Sequence, residues 1–301
     1  MSVTASITNV SRGSLHDGPG VRTVVYLKGC GLRCMWCHNP ETLSKQPHVV
    51  QNAQKCIHCG RCIELCENRS VGEDGQLVYD KDNCRFCGKC ADICPANAVK
   101  IVGEETTADE LFEQIKKDAH YYSTSGGGVT FSGGECLLWP DFVTEVAKKC
   151  KAEGIGTAVE SALFVPWKNV EAVLPYIDLF FADLKIADSQ KHKKYTGQDN
   201  VLILENLHKL TRSGKPCIIR IPVIPGVNDS DKDIVGFAEI LKSLGDGISY
   251  VELLKYNNLA ESKYLQIGAE YTSFADDPQT DEQMERLAAA ISSKSGRKCI
   301  F

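Results

Sequence analysis

The sequence predicts an α/β chain: a partial, laterally open, TIM-like (β/α)6 barrel interrupted by a small α+β insert built around cysteines. Three observations predict it. From Thr107 onward, short β-branched runs alternate with amphipathic runs at helical spacing, the pattern of a parallel sheet wrapped by helices. About six strand/helix pairs are visible, fewer than the eight of a closed barrel. Between residues 46 and 104 the alternation stops, and two matched cysteine runs take its place.

Composition narrows the class. The chain has 301 residues, 43% hydrophobic and 24% charged, which suits a globular protein with a sizeable core. A net charge of −5 argues against nucleic acid and anionic membrane as partners. The start, Met1-Ser2-Val3-Thr4-Ala5-Ser6, lacks the cationic and apolar segments of a signal peptide, and no apolar run approaches a membrane span. Cysteine is the anomaly: there are 15, and 11 of them lie between Cys30 and Cys94. Without secretion, dense cysteine reads as metal binding rather than disulfides. The expected compartment is a reducing cytoplasm, and an anaerobic one because exposed clusters are oxygen-sensitive.

Taken in order, residues 1–21 read as a lead-in, with a turn at Asp17-Gly18-Pro19-Gly20. Arg22 to Lys28 alternates and is β-branched, so it is the first strand. At its carboxyl end follow Cys30, Cys34 and Cys37 at C-x3-C-x2-C spacing. A four-iron cluster offers four irons, so three thiols leave one position open for chemistry. Alone, the same thiols with His38 would also make a four-ligand zinc site.

The insert carries Cys56, Cys59, Cys62 and Cys66, then Cys84, Cys87, Cys90 and Cys94, a repeat offset by 28 residues. This is the spacing of a bacterial two-cluster ferredoxin, in which the fourth cysteine of each run serves the other cluster. One cluster is therefore assigned to Cys56, Cys59, Cys62 and Cys94, and the other to Cys84, Cys87, Cys90 and Cys66. Glu67 stands where the first run would carry the trailing proline seen at Pro95.

After the insert, Thr107 caps a helix carrying Leu111, Phe112 and Ile115. Strands are expected at 129–131, 156–160, 177–184, 216–222 and 250–254. Helices are expected around Phe142–Ala147, near 170–174, and at 200–212, 231–244 and 280–294. The strand ends carry the candidate site residues, where α/β folds collect ligands. Gly133-Gly134-Glu135 lets a ligand approach backbone, although an ordinary turn looks the same. Asp183-Leu184-Lys185 ends a buried strand. Arg220 lies inside an apolar run, where a charge needs a partner or a ligand. Trp36 is either core packing or a platform for a ring. Cys136, Cys150, Cys217 and Cys299 read as small buried hydrophobes.

Together these motifs resemble a known family. They are C-x3-C-x2-C with Trp36 before the last cysteine, Asp17-Gly18-Pro19-Gly20, Gly29-Cys30, Cys37-His38-Asn39, Gly126-Gly127-Gly128-Val129-Thr130, Ser132-Gly133-Gly134-Glu135 and Asp183-Leu184-Lys185. In this order, over nearly the whole chain, the set resembles the glycyl-radical-enzyme activating enzymes of the radical S-adenosylmethionine (SAM) superfamily, whose best-known member activates pyruvate formate-lyase. The insert is similar to that of the longer subgroup with two ferredoxin clusters.

The resemblance implies a radical SAM barrel formed by residues 1–45 and 105–301, with a ferredoxin-like domain at 46–104. It implies three 4Fe-4S clusters, the catalytic one on Cys30, Cys34 and Cys37 with its open iron binding SAM. Reductive cleavage of SAM would yield a 5′-deoxyadenosyl radical that removes hydrogen from a backbone glycine of a partner glycyl radical enzyme. Trp36, Cys37 and His38 would contact adenine. Gly133, Gly134 and Glu135 would receive the methionyl amino group. Asp183, Leu184 and Lys185, with Arg220 and Asn257, would complete the cofactor site. Glu160 and Ser161 fall where the pyruvate formate-lyase activator holds a monovalent cation, with an acid longer here by one methylene. Asn257 replaces that activator's histidine. Flavodoxin or ferredoxin would donate electrons, which the insert would relay, unless it serves mainly to dock the partner. The competing classes are a radical SAM enzyme of small molecules and a polyferredoxin-type electron carrier. The carrier leaves the three-thiol loop and about 200 residues beyond Gly103 without a purpose.

Overall fold

The fold is described from a computed structural model, over residues 2–73, 75–80 and 83–301. In chain order, β1 (Thr4–Ser14) and β2 (Arg22–Leu27) form an antiparallel pair. The insert follows, with β3 (His48–Gln51), α1 (Arg61–Leu65), β4 (Arg69–Val71), β5 (Leu77–Tyr79), α2 (Lys89–Asp92) and β6 (Val99–Val102). A short β7 (Glu104–Thr107) returns to pair with β1. Then come α3 (Ala108–Lys116), α4 (Ala119–Ser125), β8 (Gly128–Gly133), α5 (Pro140–Ala152), β9 (Gly156–Ser161) and α6 (Trp167–Val173). The last part holds β10 (Leu179–Asp183), α7 (Ser189–Thr196), α8 (Val201–Arg212), β11 (Cys217–Pro222), α9 (Asp231–Ser243), β12 (Tyr250–Leu254), α10 (Glu261–Gln266), α11 (Asp281–Ser295) and β13 (Cys299–Ile300).

One sheet runs β13-β12-β11-β10-β9-β8-β2-β1-β7. From β2 to β13 every neighbouring pair is parallel. Six full strands (β2 and β8–β12) with helices between them make the expected partial barrel, and the two-residue β13 ends it. The lead-in reading of residues 1–21 is corrected: most of it is a strand. β1 is polar and lacks clean alternation, so its conformation comes from pairing with β2 and β7 rather than from its own pattern. Helices α4, α7 and α10 were also unmarked; α7 is polar and α10 spans six residues.

The elements that carry strong local signals form where expected. Thr107 accepts from the Glu110 amide, and Glu110 accepts from the Thr107 amide, a capping box that starts α3. Leu111, Phe112 and Ile115 turn this helix onto the sheet. Ser230 and Thr280 start α9 and α11 in the same way.

Strand alternation sorts the barrel interior into two layers. Ala158, Phe181 and Ile218 form an apolar floor. Two residues further along their strands stand Glu160, Asp183 and Arg220, joined on β12 by Glu252. The parallel register aligns Asp183 with Arg220 and Arg220 with Glu252, so charge collects at one level near the carboxyl ends.

The insert contains two antiparallel pairs, β3–β6 and β4–β5. Its sequence repeat is a backbone repeat. His58 and Phe86, one offset apart, both take positive φ (53° and 51°). Gly60 and Gly88 do the same at 75° and 79°, each preceding a short helix.

Candidate functional site

Strand β2 ends at Leu27, and the chain leaves it through a tightly packed turn. Gly29 N donates to Thr42 O at 2.6 Å, and Cys30 N to Leu43 O at 3.1 Å. Gly134 N donates to Leu27 O at 2.9 Å, so the end of β8 seats against the cysteine loop. A Cβ at Gly133 would strike the Leu27 backbone, and one at Gly134 the Gly29 carbonyl. These glycines are therefore required by chain packing.

Above this turn lies a cavity of about 280 Å³. Cys30, Cys34, Cys37, Trp36, His38, Gly133, Gly134, Glu160, Asp183, Lys185 and Arg220 all line it, although they come from five separate strand ends or loops. Arg220 is the electrostatic hub of its wall. It donates from Nε to Glu252 at 2.6 Å, pairs with Glu160, donates to His16 O at 3.0 Å, and lies 3.9 Å from the Phe181 ring centroid. Burial pushes Glu160 above the usual carboxylate range, and Arg220 and the Ser132 hydroxyl hold that rise back. Lys185 donates to Asp183 at 2.6 Å. Burial pulls Lys185 down, but the Asp183 carboxylate raises it further, so it stays charged.

Trp36 is placed both on the cavity wall and in an apolar cluster with Ile186, Ile224, Val227 and Tyr256. Burial pushes the thiols of Cys30 and Cys34 up to about 12 and that of Cys37 up to about 11. Near neutral pH such thiols keep their protons until a metal displaces them.

Three expected contacts fall elsewhere. Glu135 is 1% exposed and does not line the cavity. Its carboxylate accepts from Ser161 Oγ at 2.7 Å, Ala162 N at 3.0 Å and Leu137 N at 3.2 Å, so it braces the turn behind the site. Burial raises it to about 7. Leu184 is in the main apolar core, because alternation turns it away from Asp183 and Lys185. Asn257 lies in a neighbouring groove with His38 and Phe301. The pair suggested for a cation is engaged within the protein, Glu160 with Arg220 and Ser161 with Glu135. Glu252 was missed, since it stands in no motif; strand alternation opposite Arg220 would have pointed to it. Ser132 stands in the Ser132-Gly133-Gly134-Glu135 motif but carries no role there, and its bond to Glu160 emerges only from the fold.

The insert holds two further thiol-lined cavities. Cys56, Cys59, Cys62 and Cys94 line one of about 90 Å³. Cys66, Cys84, Cys87 and Cys90 line the other, of about 500 Å³. Four thiols grouped in this way suit iron–sulfur clusters. In the barrel, three thiols beside a glycine turn, with no fourth sulfur among the described residues that line the cavity, suit a cluster with an open position. Cys136, Cys150 and Cys217 are fully buried, as small hydrophobes, and Cys299 is partly buried.

An open parallel barrel with this mouth, joined to a cysteine-rich insert, defines an iron–sulfur enzyme that takes a small cofactor at its cluster. The radical SAM superfamily model matches residues 81–238, and a 4Fe-4S dicluster domain model matches residues 55–98. The (2S)-3-sulfopropanediol dehydratase activating enzyme of Klebsiella oxytoca is 45% identical over 272 residues, 88% of this chain and 86% of that one. The choline trimethylamine-lyase activating enzyme of Oleidesulfovibrio alaskensis is 39% identical over 300 residues, 95% of this chain and 94% of its own. Among solved structures, Streptococcus suis SuiB bound to precursor peptide SuiA superposes with a TM-score of 0.54 at 12% identity, over 92% of this chain and 47% of that one, a likeness of fold. The chain belongs to the radical SAM superfamily, and within it to the activating enzymes of glycyl radical enzymes. Iron–sulfur clusters and SAM are its cofactors. No helix among the described residues is long and apolar enough to cross a membrane.

Proposed function

We propose that this chain activates a partner glycyl radical enzyme by taking hydrogen from one backbone glycine of that partner. The observation that carries this reading is the single cavity lined by three thiols, a glycine turn and paired charges at the open mouth of the barrel. A reduced 4Fe-4S cluster held by Cys30, Cys34 and Cys37, together with SAM, would supply the radical chemistry that removes the hydrogen.

The chain's own residues would bind, orient and exclude water. Cys30, Cys34 and Cys37 would hold the cluster. Trp36 and His38 would wall the adenine. Gly133 and Gly134 would leave room for the methionyl group. Lys185, kept charged by Asp183, would meet the carboxylate. Arg220 supplies positive charge beside Glu160, where the family resemblance pointed to a monovalent cation. The division into barrel (1–45 and 105–301) and insert (46–104) belongs to this reading. So do two further 4Fe-4S clusters, one on Cys56, Cys59, Cys62 and Cys94 and one on Cys66, Cys84, Cys87 and Cys90, supported by the cavities those residues line. The insert would pass electrons from flavodoxin or ferredoxin to the barrel, in the cytoplasm of an anaerobic cell.

The test is anaerobic mixing of the reduced, iron-loaded protein and SAM with candidate partners, read by 5′-deoxyadenosine yield and the glycyl-radical doublet in electron paramagnetic resonance. A doublet in one partner is the expected result. Deoxyadenosine without a doublet in any partner would point to a small-molecule substrate, and absence of deoxyadenosine to an electron carrier. The relay is tested separately with Cys84→Ala and Cys87→Ala: unchanged single-turnover SAM cleavage with flavodoxin as donor would exclude it.

A further inference from the structure

The segment 257–279 has no role so far, yet it packs on the loop that carries Cys37. Its helix α10 places Lys263 over the residues that follow that cysteine. Lys263 Nζ donates to His38 O at 3.0 Å, Asn39 Oδ1 at 2.7 Å and Glu41 Oε1 at 3.2 Å. One ammonium thus gathers three acceptors from four consecutive positions, more than 220 residues away in sequence. Asn39 is held from the other side too, its carbonyl accepting from Thr42 Oγ1 at 2.6 Å.

The neighbours of Lys263 act on the same stretch. Tyr264 is 8% exposed, and its hydroxyl faces the Cys37 backbone. Its ring packs on Tyr271 at 5.3 Å between centroids, and Tyr271 meets the Tyr256 hydroxyl at 3.1 Å. Phe274 sets its edge against Trp36 at 6.0 Å and against Tyr256 at 6.2 Å. The His38 ring meets the Asn257 backbone, where the segment begins. Trp36 and His38, both on the cavity wall, are therefore placed from behind by side chains of this one segment.

We propose that Lys263 is a positioning residue for SAM: by tying His38, Asn39 and Glu41 together it sets the stance of Trp36 and His38 at the cavity wall, and segment 257–279 is the strap that delivers it. This rests on the reading that SAM occupies the cavity. A lysine has the length and the three donors to reach all three acceptors. Methionine keeps the stem and removes the donors, and arginine keeps donors at similar reach.

The experiment compares Lys263→Met and Lys263→Arg with the wild type, each as the full chain loaded with iron and sulfide. SAM affinity is read by equilibrium dialysis, and backbone hydrogen exchange is read over residues 36–42. Lys263→Met is expected to weaken SAM binding about five- to tenfold, as loss of a half-exposed charged cluster of bonds should, with faster exchange at His38 to Thr42. Lys263→Arg restores both. If the methionine variant also loses iron, restoration by arginine still supports the proposal. A wild-type Kd in Lys263→Met, or a loss that arginine leaves unrestored, overturns it while leaving the proposed function intact. No SAM binding by the wild type overturns both.

Discussion

In the barrel, Val25, Phe131, Val159, Phe180 and Ile219 are fully buried in one core that continues into the helices. In the insert, the apolar cluster centres on three buried residues, Val49, Cys90 and Val99, with Ile57, Leu65 and Val71 left exposed. The barrel can be held by burial of apolar area. The insert is too small for that, and its strands are three or four residues long. What it has instead is eight thiols lining two cavities, and the clusters proposed there would serve as its core. On the proposed ligation, cysteine would serve the reaction at the barrel mouth, and in the insert it would hold the local fold as well as the relay.

The contrast can be broken or sharpened by experiment. Cys34→Ala should have the largest effect, lowering SAM cleavage by about 10³-fold or more while the barrel melts near its usual temperature, because the loop lies outside the sheet. A comparable loss of melting temperature would mean that the loop cluster also holds the barrel. Removing iron with a chelator should erase hydrogen-exchange protection across β4, β5 and β6 and leave β8–β12 protected. Equal protection of the two regions afterwards would refute the division.

Arg220→Met should cost about 2–4 kcal/mol in denaturant unfolding, since it strands Glu160 and Glu252 in the barrel interior. A stability equal to the wild type would show that those carboxylates find water instead.

The smallest expected effect is a pH dependence at Glu135. Its folded value of about 7 lies above the ordinary 4.5, so the folded state binds the extra proton. Its contribution is fully present below about pH 4.5 and is lost as pH rises through about 7. Relative to Glu135→Gln, the wild type should therefore be more stable at pH 5 than at pH 8, as read from urea midpoints. A gap that does not change with pH would assign the group an ordinary pKa.

The legible part of the molecule was the part written in short spacings. Cys30, Cys34 and Cys37 share one loop, and the matched cysteine runs carry a matched backbone at His58 and Phe86. Thr107 with Glu110, and β12 at Tyr250–Leu254, likewise follow from neighbouring residues. Such features depend on chain geometry over a few residues, which sequence by itself determines. The family motifs added the order of the strand ends.

Only the tertiary structure decided the rest. β1 became a strand through its partners, and Glu135 turned inward because Ser161 and the Ala162 amide wait behind it. Arg220 met Glu252 through parallel register and Glu160 across the barrel interior, and Lys263 reached the cysteine loop from the far end of the chain. These contacts join positions tens to hundreds of residues apart. No local pattern encodes them, because each needs the barrel already assembled before its two partners stand within bonding distance.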